Sequence, residues 1–302
     1  MRWFKLAVTA AASAVLAVAC TTTRLDIPAL PGEGTTPGKI VWHDLITDTP
    51  EASRAFYSAL FGWEFKALGG INYEVIYHQG QPIGGLVDQT RLPLQADISQ
   101  WVAVLSVADI DTATAQFRAA GGTVFTPPTS LGSRGRLAVV ADPQGAVLAL
   151  LESGGHDPAD SSAVPSSGNF LWNELWTGDV TRAGDFYSTL APYSDTTRDL
   201  EFRGQRVDYE ILSSAGQPRL GIRNNPITQL PPQWVSYLRV ADAQQLQDLL
   251  ARVESLGGKV LVPATARPAG GEVAVIADPS GAGIALQTWP LGAQTADLET
   301  AQ

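Results

Sequence analysis

Apolar and polar positions alternate between two spacings along the chain. A strand-like apolar run covers Ile40 to Thr47. Ala52, Ala55, Phe56, Ala59 and Leu60 then fall at i, i+3, i+4, i+7 and i+8, one face of an amphipathic helix. Asp48 or Thr49 can cap that helix, Pro50 suits its first position, and Glu51 suits the positive end of its dipole. Strands are predicted near 63–67, 71–78 and 82–88, broken by Gly69-Gly70 and Gly80. The order then recurs. A strand runs from Trp101 to Val107, and a helix is capped by Asp109 and ended by Gly121-Gly122. Strands follow near 123–126, 135–141 and 146–152. The pattern is βαβββ, twice.

The whole of this pattern is duplicated. VWHDLITDTPEASRAFYSAL at 41–60 aligns with LWNELWTGDVTRAGDFYSTL at 171–190, and YEVI at 73–76 with YEIL at 209–212. GQP at 80–82 matches GQP at 216–218, and QWVAVLSVAD at 100–109 matches QWVSYLRVAD at 233–242. ADPQGAVLAL at 141–150 matches ADPSGAGIAL at 277–286. The chain therefore divides into two α+β copies, 38–154 and 168–290, made of four βαβββ modules. A Thr/Pro/Gly-rich tether precedes them at 20–37, a Ser/Pro/Gly-rich linker separates them at 155–167, and a polar tail follows at 291–302. Each copy carries a full set of landmarks, so each is expected to close its own core.

Composition narrows the classes. Of 302 residues, 45% are hydrophobic and only 17% charged, which suits a globular chain with real cores and argues against disorder. The formal charge is −10 with no basic patch, so nucleic acid is an unsuitable partner. Anionic lipid offers no attraction for the same reason.

The first residues change the picture more. Arg2 and Lys5 precede an apolar run from Leu6 to Ala19, short of the roughly 20 residues a spanning helix needs. The run ends at Cys20, the single cysteine of the chain. Ala17-Val18-Ala19-Cys20 resembles a bacterial lipobox, with Ala17 where Leu is usual. The resemblance implies a signal peptide over 1–19, lipidation of Cys20 and a cell-envelope, membrane-anchored lipoprotein. Thr21 after the cysteine resembles outer-membrane sorting toward the periplasm. A cysteine committed to lipid leaves no thiol for a disulfide or for thiolate catalysis.

Phe56-Tyr57 followed by Leu60-Phe61-Gly62-Trp63, together with Asp-Pro-x-Gly before a last apolar strand, resembles the vicinal-oxygen-chelate (VOC) superfamily. That group includes glyoxalases, extradiol dioxygenases and bleomycin-resistance proteins. The second copy departs from the motif, with Ala191-Pro192-Tyr193 in place of Phe-Gly-Trp. The resemblance implies two tandem VOC domains, each a half-open barrel with a metal on its concave face. Its ligand positions, by counting, fall on Trp42, Gly84, Val102 and Ala149 in the first copy and on Trp172, Leu220, Val235 and Ala285 in the second. None of these side chains binds a metal, and a count shifted by one would add only His43. The chelate of the family is therefore expected to be lost, with no cofactor in its place.

Two readings of the concave faces stay open at this point. Large Trp42 and Trp172 facing small Gly84, Ala149 and Ala285 can pack a barrel shut. They can equally wall an apolar pocket. Alternation puts Asp44 on the face of Trp42, and Glu174 on the face of Trp172. A carboxylate in an apolar cavity can act as acid or base, whereas at a wet strand end it pairs with an Arg. Tyr73 and Tyr209, next to Glu74 and Glu210, recur in both copies and either line the pocket or pack across strands. His43 and Asn173 point to the other face, as surface groups. His78 in a turn and His156 in the linker are expected to be solvated. Three functions compete. The first is a lipoprotein that binds a small apolar or aromatic molecule without metal. The second is a divalent-metal-dependent enzyme of the glyoxalase or dioxygenase kind. The third is an envelope protein–protein interaction module.

Overall fold

The computed structural model describes residues 26–92, 99–202, 205–227, 230–267 and 270–290. The expected signal peptide, Cys20 and the tail over 291–302 lie outside these residues. The first copy runs β1 (Ile40–Thr47), α1 (Pro50–Phe61), β2 (Glu64–Ala67), β3 (Glu74–His78), β4 (Gln81–Asp88), then β5 (Gln100–Ser106), α2 (Ile110–Ala119), β6 (Thr123–Ser130), β7 (Arg136–Ala141) and β8 (Val147–Glu152). The second runs β9 (Phe170–Thr177), α3 (Val180–Tyr187), β10 (Ser194–Phe202), β11 (Gln205–Ser214), β12 (Gln217–Asn224), then β13 (Gln233–Val240), α4 (Ala243–Val253), β14 (Lys259–Ala266), β15 (Glu272–Ala277) and β16 (Gly283–Thr288). The four βαβββ modules are thus present in the order the sequence predicts.

Each copy makes one eight-stranded sheet. The first has the order β2-β3-β4-β1-β5-β8-β7-β6 and the second the matching order β10-β11-β12-β9-β13-β16-β15-β14. Two modules join through the antiparallel pair β1–β5, or β9–β13 in the second copy. Within a module the first strand pairs in parallel with the last, as in β1–β4 and β5–β8. The local signals act as expected, with one exception. Asp109 caps α2 by accepting the Thr112 amide at 2.6 Å, and Gly62 ends α1 with φ 74°. Thr49 occupies the cap position of α1, but its side chain does not cap. The Thr47 hydroxyl takes the Thr49 amide instead, at 3.1 Å, and bonds Ser53 at 2.9 Å.

A sheet with apolar residues on both faces has to cover both. The helix-bearing faces are covered by the opposite copy. Phe56, Tyr57, Leu60 and Trp63 of the first copy pack with Leu246, Leu249, Val253 and Ile284 of the second. Ile110, Phe117 and Leu148 pack with Phe186, Tyr187, Leu220 and Trp234. The expectation that each copy closes its own core is therefore corrected: only the concave faces are filled from within one copy.

The family motifs sit in this layer. The Trp101 indole donates to the Tyr57 hydroxyl at 2.8 Å, and Trp234 does the same for Tyr187 at 3.0 Å. Tyr187 in turn donates to Asp142 of the first copy at 3.1 Å. The other oxygen of Asp142 accepts the Gln144 and Ala146 amides, which forms the Asp-Pro turn.

His43 and Asn173, predicted as surface groups on the outer face, do point away from the concave side. They are nevertheless buried, and they meet each other. His43 Nε2 lies 2.9 Å from Asn173 Oδ1, the ring stacks on Phe170 at 3.6 Å, and Ser236 also donates to Asn173 Oδ1 at 3.0 Å. Burial outweighs the Asn173 hydrogen bond and pushes the imidazole down to about 4, so it is neutral at pH 7 and donates from Nε2. His78 is likewise buried rather than solvated, with Nδ1 2.6 Å from Asn169 Oδ1, whereas His156 is exposed.

Two segments read as loose are held down where they are described. Ile27 and Leu30 are each 3% exposed, and the Ile27 amide donates to Leu131 O at 2.9 Å. We refer to residues 26–31 as the strap. In the linker, buried Asp157 accepts the Thr36 amide at 2.6 Å and the Ser106 hydroxyl at 2.5 Å, and Asp160 pairs with Lys39 and Arg219.

A shared core has a direct consequence. Expressed alone, residues 34–154 would expose the apolar faces of α1 and α2. That fragment is expected to self-associate in size-exclusion chromatography and to lose near-ultraviolet circular dichroism. A monodisperse, natively packed monomer would show that each copy is self-sufficient.

Candidate ligand cavity on the concave faces

Register fixes which side chains face inward. In the first copy Trp42 lies opposite Val104, Asp44 opposite Val102, and Val104 beside Ala149. With Tyr73 from just ahead of β3 and Val87 from β4, these line one cavity. The positions reached by counting on the hairpins are corrected by one residue. A side chain at Gly84 would meet the His43 carbonyl and Ile76, on the helix side. Gly85 instead faces inward, and a Cβ there would overlap the Tyr73 hydroxyl and Asp44. The second copy repeats this. Leu220 belongs to the helix-side core, and Gly221 faces the Tyr209 hydroxyl. The count misses because β3–β4 and β11–β12 each carry a register shift.

The structure brings Trp42, Asp44 and Tyr73 together. The Tyr73 hydroxyl donates to Asp44 Oδ1 at 2.7 Å, and the Trp42 indole N–H lies 2.8 Å from the Tyr73 oxygen and 3.1 Å from Asp44 Oδ1. Arg134, from the hairpin between β6 and β7, stacks its guanidinium 4.3 Å from the Trp42 ring. Its Nε donates to Pro28 O of the strap at 2.6 Å. Apart from Asn72 the remaining walls are apolar, among them Ile46, Val102, Val139 and Leu151, and Ile27 of the strap closes one side. The cavity volume is about 70 Å3. Burial pushes the Asp44 carboxyl up, against the opposing pull of the Tyr73 hydroxyl, Arg134 and the Trp42 indole.

Trp172, Glu174 and Tyr209 meet in the second copy with a different outcome. The Trp172 indole donates to the Tyr209 hydroxyl at 2.8 Å, which donates to Glu174 Oε1 at 2.9 Å. Arg267, from the hairpin between β14 and β15, reaches the same oxygen at 2.5 Å. Glu174 Oε2 accepts from the Tyr237 hydroxyl and from the Trp176 indole at 3.2 Å, with Arg223 at 3.9 Å. Trp176 and Tyr237 stand where the first copy has Ile46 and Val104. Their side chains occupy the space around Glu174 that stays open beside Trp42 in the first copy, and a separate cavity of about 550 Å3 is lined by Trp176, Ile227, Val235 and Val275. Burial alone would raise Glu174. Arg267, Arg223 and the Tyr237 hydroxyl outweigh it and hold the carboxyl below its ordinary value.

The sequence reading missed Arg134, Arg223, Arg267, Trp176 and Tyr237. The arginines sit outside the aligned landmarks, two of them on hairpins, but each copy does carry one on the matching hairpin, and that repetition was available. Glu74 belongs elsewhere: it pairs with Arg54 of α1 at 2.5 Å.

The donor set does not fit a divalent cation. Among the described residues no three His, Cys, Asp or Glu side chains converge. The inward carboxylate of the second copy already holds a guanidinium, and that of the first shares its cavity with no second carboxylate and no His or Cys.

Residues 39–150 match the family described as Glyoxalase/Bleomycin resistance protein/Dioxygenase superfamily. The chain is 30% identical over 273 residues to the anthracycline biosynthesis protein DauV of Streptomyces sp. (strain C5), covering 83% of this chain and 93% of that one. It is similar in fold to a Mn(II)-bound glyoxalase from Novosphingobium aromaticivorans, with TM-score 0.57 and 16% identity over 85% of this chain and 83% of that one. A catechol 2,3-dioxygenase gives TM-score 0.55 and 14% identity, over 86% and 91% of the two chains.

The two carboxyls are expected to act on stability with opposite signs. Glu174 is depressed in the folded state, so its contribution is present above the ordinary carboxylate range and lost as pH falls through its folded value. Asp44 is raised, so stability falls as pH rises from its unfolded to its folded value. Arg267→Met, which strands a buried carboxylate, is expected to cost about 3–5 kcal/mol at pH 7. Asp44→Asn is expected to hold or raise Tm there. Thermal melts from pH 3 to 8 read both, and a like-signed pH response of Asp44→Asn and Glu174→Gln would contradict the assignment.

Proposed function

The chain belongs to the Glyoxalase/Bleomycin resistance protein/Dioxygenase superfamily, and we propose that within it this protein binds a small apolar or aromatic molecule, without metal, in the concave cavity of its first copy. The observation that carries this reading is the difference between the copies. Around Glu174 the second copy is occupied by Trp176, Tyr237 and the Arg267 guanidinium, whereas around Asp44 the first keeps a cavity with largely apolar walls and a polar cluster on one side. Such a site, apolar with a few placed polar groups, is the usual form of a small-molecule pocket. A metal-dependent reaction has no set of donors to work with among the described residues.

Size constrains the occupant. A cavity of roughly 150 Å3 holds benzene, and this one is about half of that. A compact aliphatic molecule enters with the strap in place, and a ring requires Ile27 to move. The strap begins six residues after Cys20, so in this reading the pocket mouth lies near the lipid that anchors the protein in the cell envelope, on the periplasmic face of the outer membrane.

Two experiments test the proposal. Isobutanol and phenol, added to the soluble part from Thr22 onward, are expected to raise Tm and to quench Trp42 emission, read against Trp42→Phe. Val104→Tyr with Ile46→Trp, which copies the filled interior of the second copy, is expected to abolish both effects. A wild-type response that survives this filling places the ligand elsewhere. For the anchor, Cys20→Ala in the intact chain is expected to leave an uncleaved or soluble product. Retention in the membrane after signal removal would sink the lipoprotein reading.

A further inference from the structure

The duplication supplies an internal control for Arg134. In each copy an arginine from the hairpin ahead of the third strand of the second module reaches into the concave face, against the aromatic residues there. In the second copy Arg267 lies 5.2 Å from the Tyr237 ring and 2.5 Å from the Glu174 carboxylate. In the first copy the position of Glu174 is held by Asp44, one methylene shorter. Asp44 turns its Oδ1 to Tyr73 and Trp42 and makes no ion pair with Arg134. Arg134 is 4% exposed, lines the cavity, and donates only through Nε, to Pro28 O. Among the described residues its two Nη groups have no hydrogen-bond acceptor.

The Nη groups are not sealed from solvent, and the acceptor that best matches their planar fork is a carboxylate. We propose that the cavity of the first copy is a site for a small organic acid, whose carboxylate takes the place against Arg134 that Glu174 takes against Arg267. The apolar remainder of the molecule lies against Val102, Val139 and Leu151, and the Trp42 ring carries the guanidinium 4.3 Å above it. Burial, which pushes Asp44 up, lowers the repulsion between that carboxyl and an arriving anion. The strap is part of the site, because Pro28 fixes the Nε edge of Arg134 and leaves the Nη edge to the ligand. This inference rests on the ligand-binding reading of the same cavity and adds the chemical class of the ligand.

The test uses isobutyrate and benzoate, each beside its neutral amide, isobutyramide and benzamide, titrated calorimetrically into the soluble part of the chain. The acids are expected to bind and the amides to bind about tenfold or more weakly, the difference a charged hydrogen bond makes. Asp44→Glu is the decisive variant. It reproduces the second copy, keeps Arg134 and the strap intact, and is expected to remove acid binding by supplying Arg134 with its own carboxylate. Arg134→Gln is expected to erase the preference for acid over amide. Equal binding of acid and amide, or acid binding undiminished in Asp44→Glu, overturns the inference and leaves the pocket reading standing. Binding of neither probe, with no response to isobutanol or phenol, overturns both.

Discussion

Everything in this molecule depends on the fact that a curled sheet of paired βαβββ modules has two apolar faces and can cover only one by itself. The helices lie on the convex side, and their inner stripes do not close it. The closure comes from the other copy, with Phe56, Tyr57 and Trp63 against Leu246 and Leu249, and Phe117 against Phe186. The two halves are repeats in sequence and a single body in packing. The family motifs take their meaning from this. The Phe-Tyr pair and the Asp-Pro turn lie far apart in the chain, yet Tyr187 of one copy hydrogen-bonds Asp142 of the other.

With the helix side committed to holding the halves together, the concave sides are free to diverge. A few substitutions suffice. Ile46 against Trp176, Val104 against Tyr237 and Asp44 against Glu174 leave a cavity beside one carboxyl and build a hydrogen-bonded plug around the other. The plug is charged, and its stability comes from geometry. Glu174 is fully buried and takes hydrogen bonds from two tyrosines, an indole and a guanidinium, which is the condition under which a buried carboxylate stays ionised.

Much of this was legible in the sequence because periodicity reports local geometry. The bounds of β1, the cap of α2 and the duplicated landmarks follow from spacing alone, and so does the grouping of Trp42 with Asp44 and of Trp172 with Glu174. Alternation says which way a side chain points, but not what lies there. His43 and Asn173 were placed on the correct face and wrongly given to solvent, since the face is covered by residues more than a hundred positions away. Counting from a motif fails at a bulge, which is why Gly84 and Leu220 stand one residue from the inward Gly85 and Gly221. Arg134 and Arg267 lie on hairpin loops that carry no periodicity. The strap looked like tether because it lies in a Thr/Pro/Gly-rich stretch, although Ile27 and Leu30 both pack into the core of the first copy.

The His43–Asn173 contact has a consequence for symmetry. The two residues occupy matching positions in the two copies and touch, so each copy presents the same position of its first strand to the other. Two separate, identical chains joined in this way would present the same residue from both sides and the same neighbour beyond it. The covalent link between the copies lifts that restriction. A neutral imidazole donates from one side, an amide oxygen accepts from the other, and Ser236 adds a second donor where the first copy has only Ala103. Donor and acceptor are assigned by sequence at a place where a symmetric assembly has to choose between them at random.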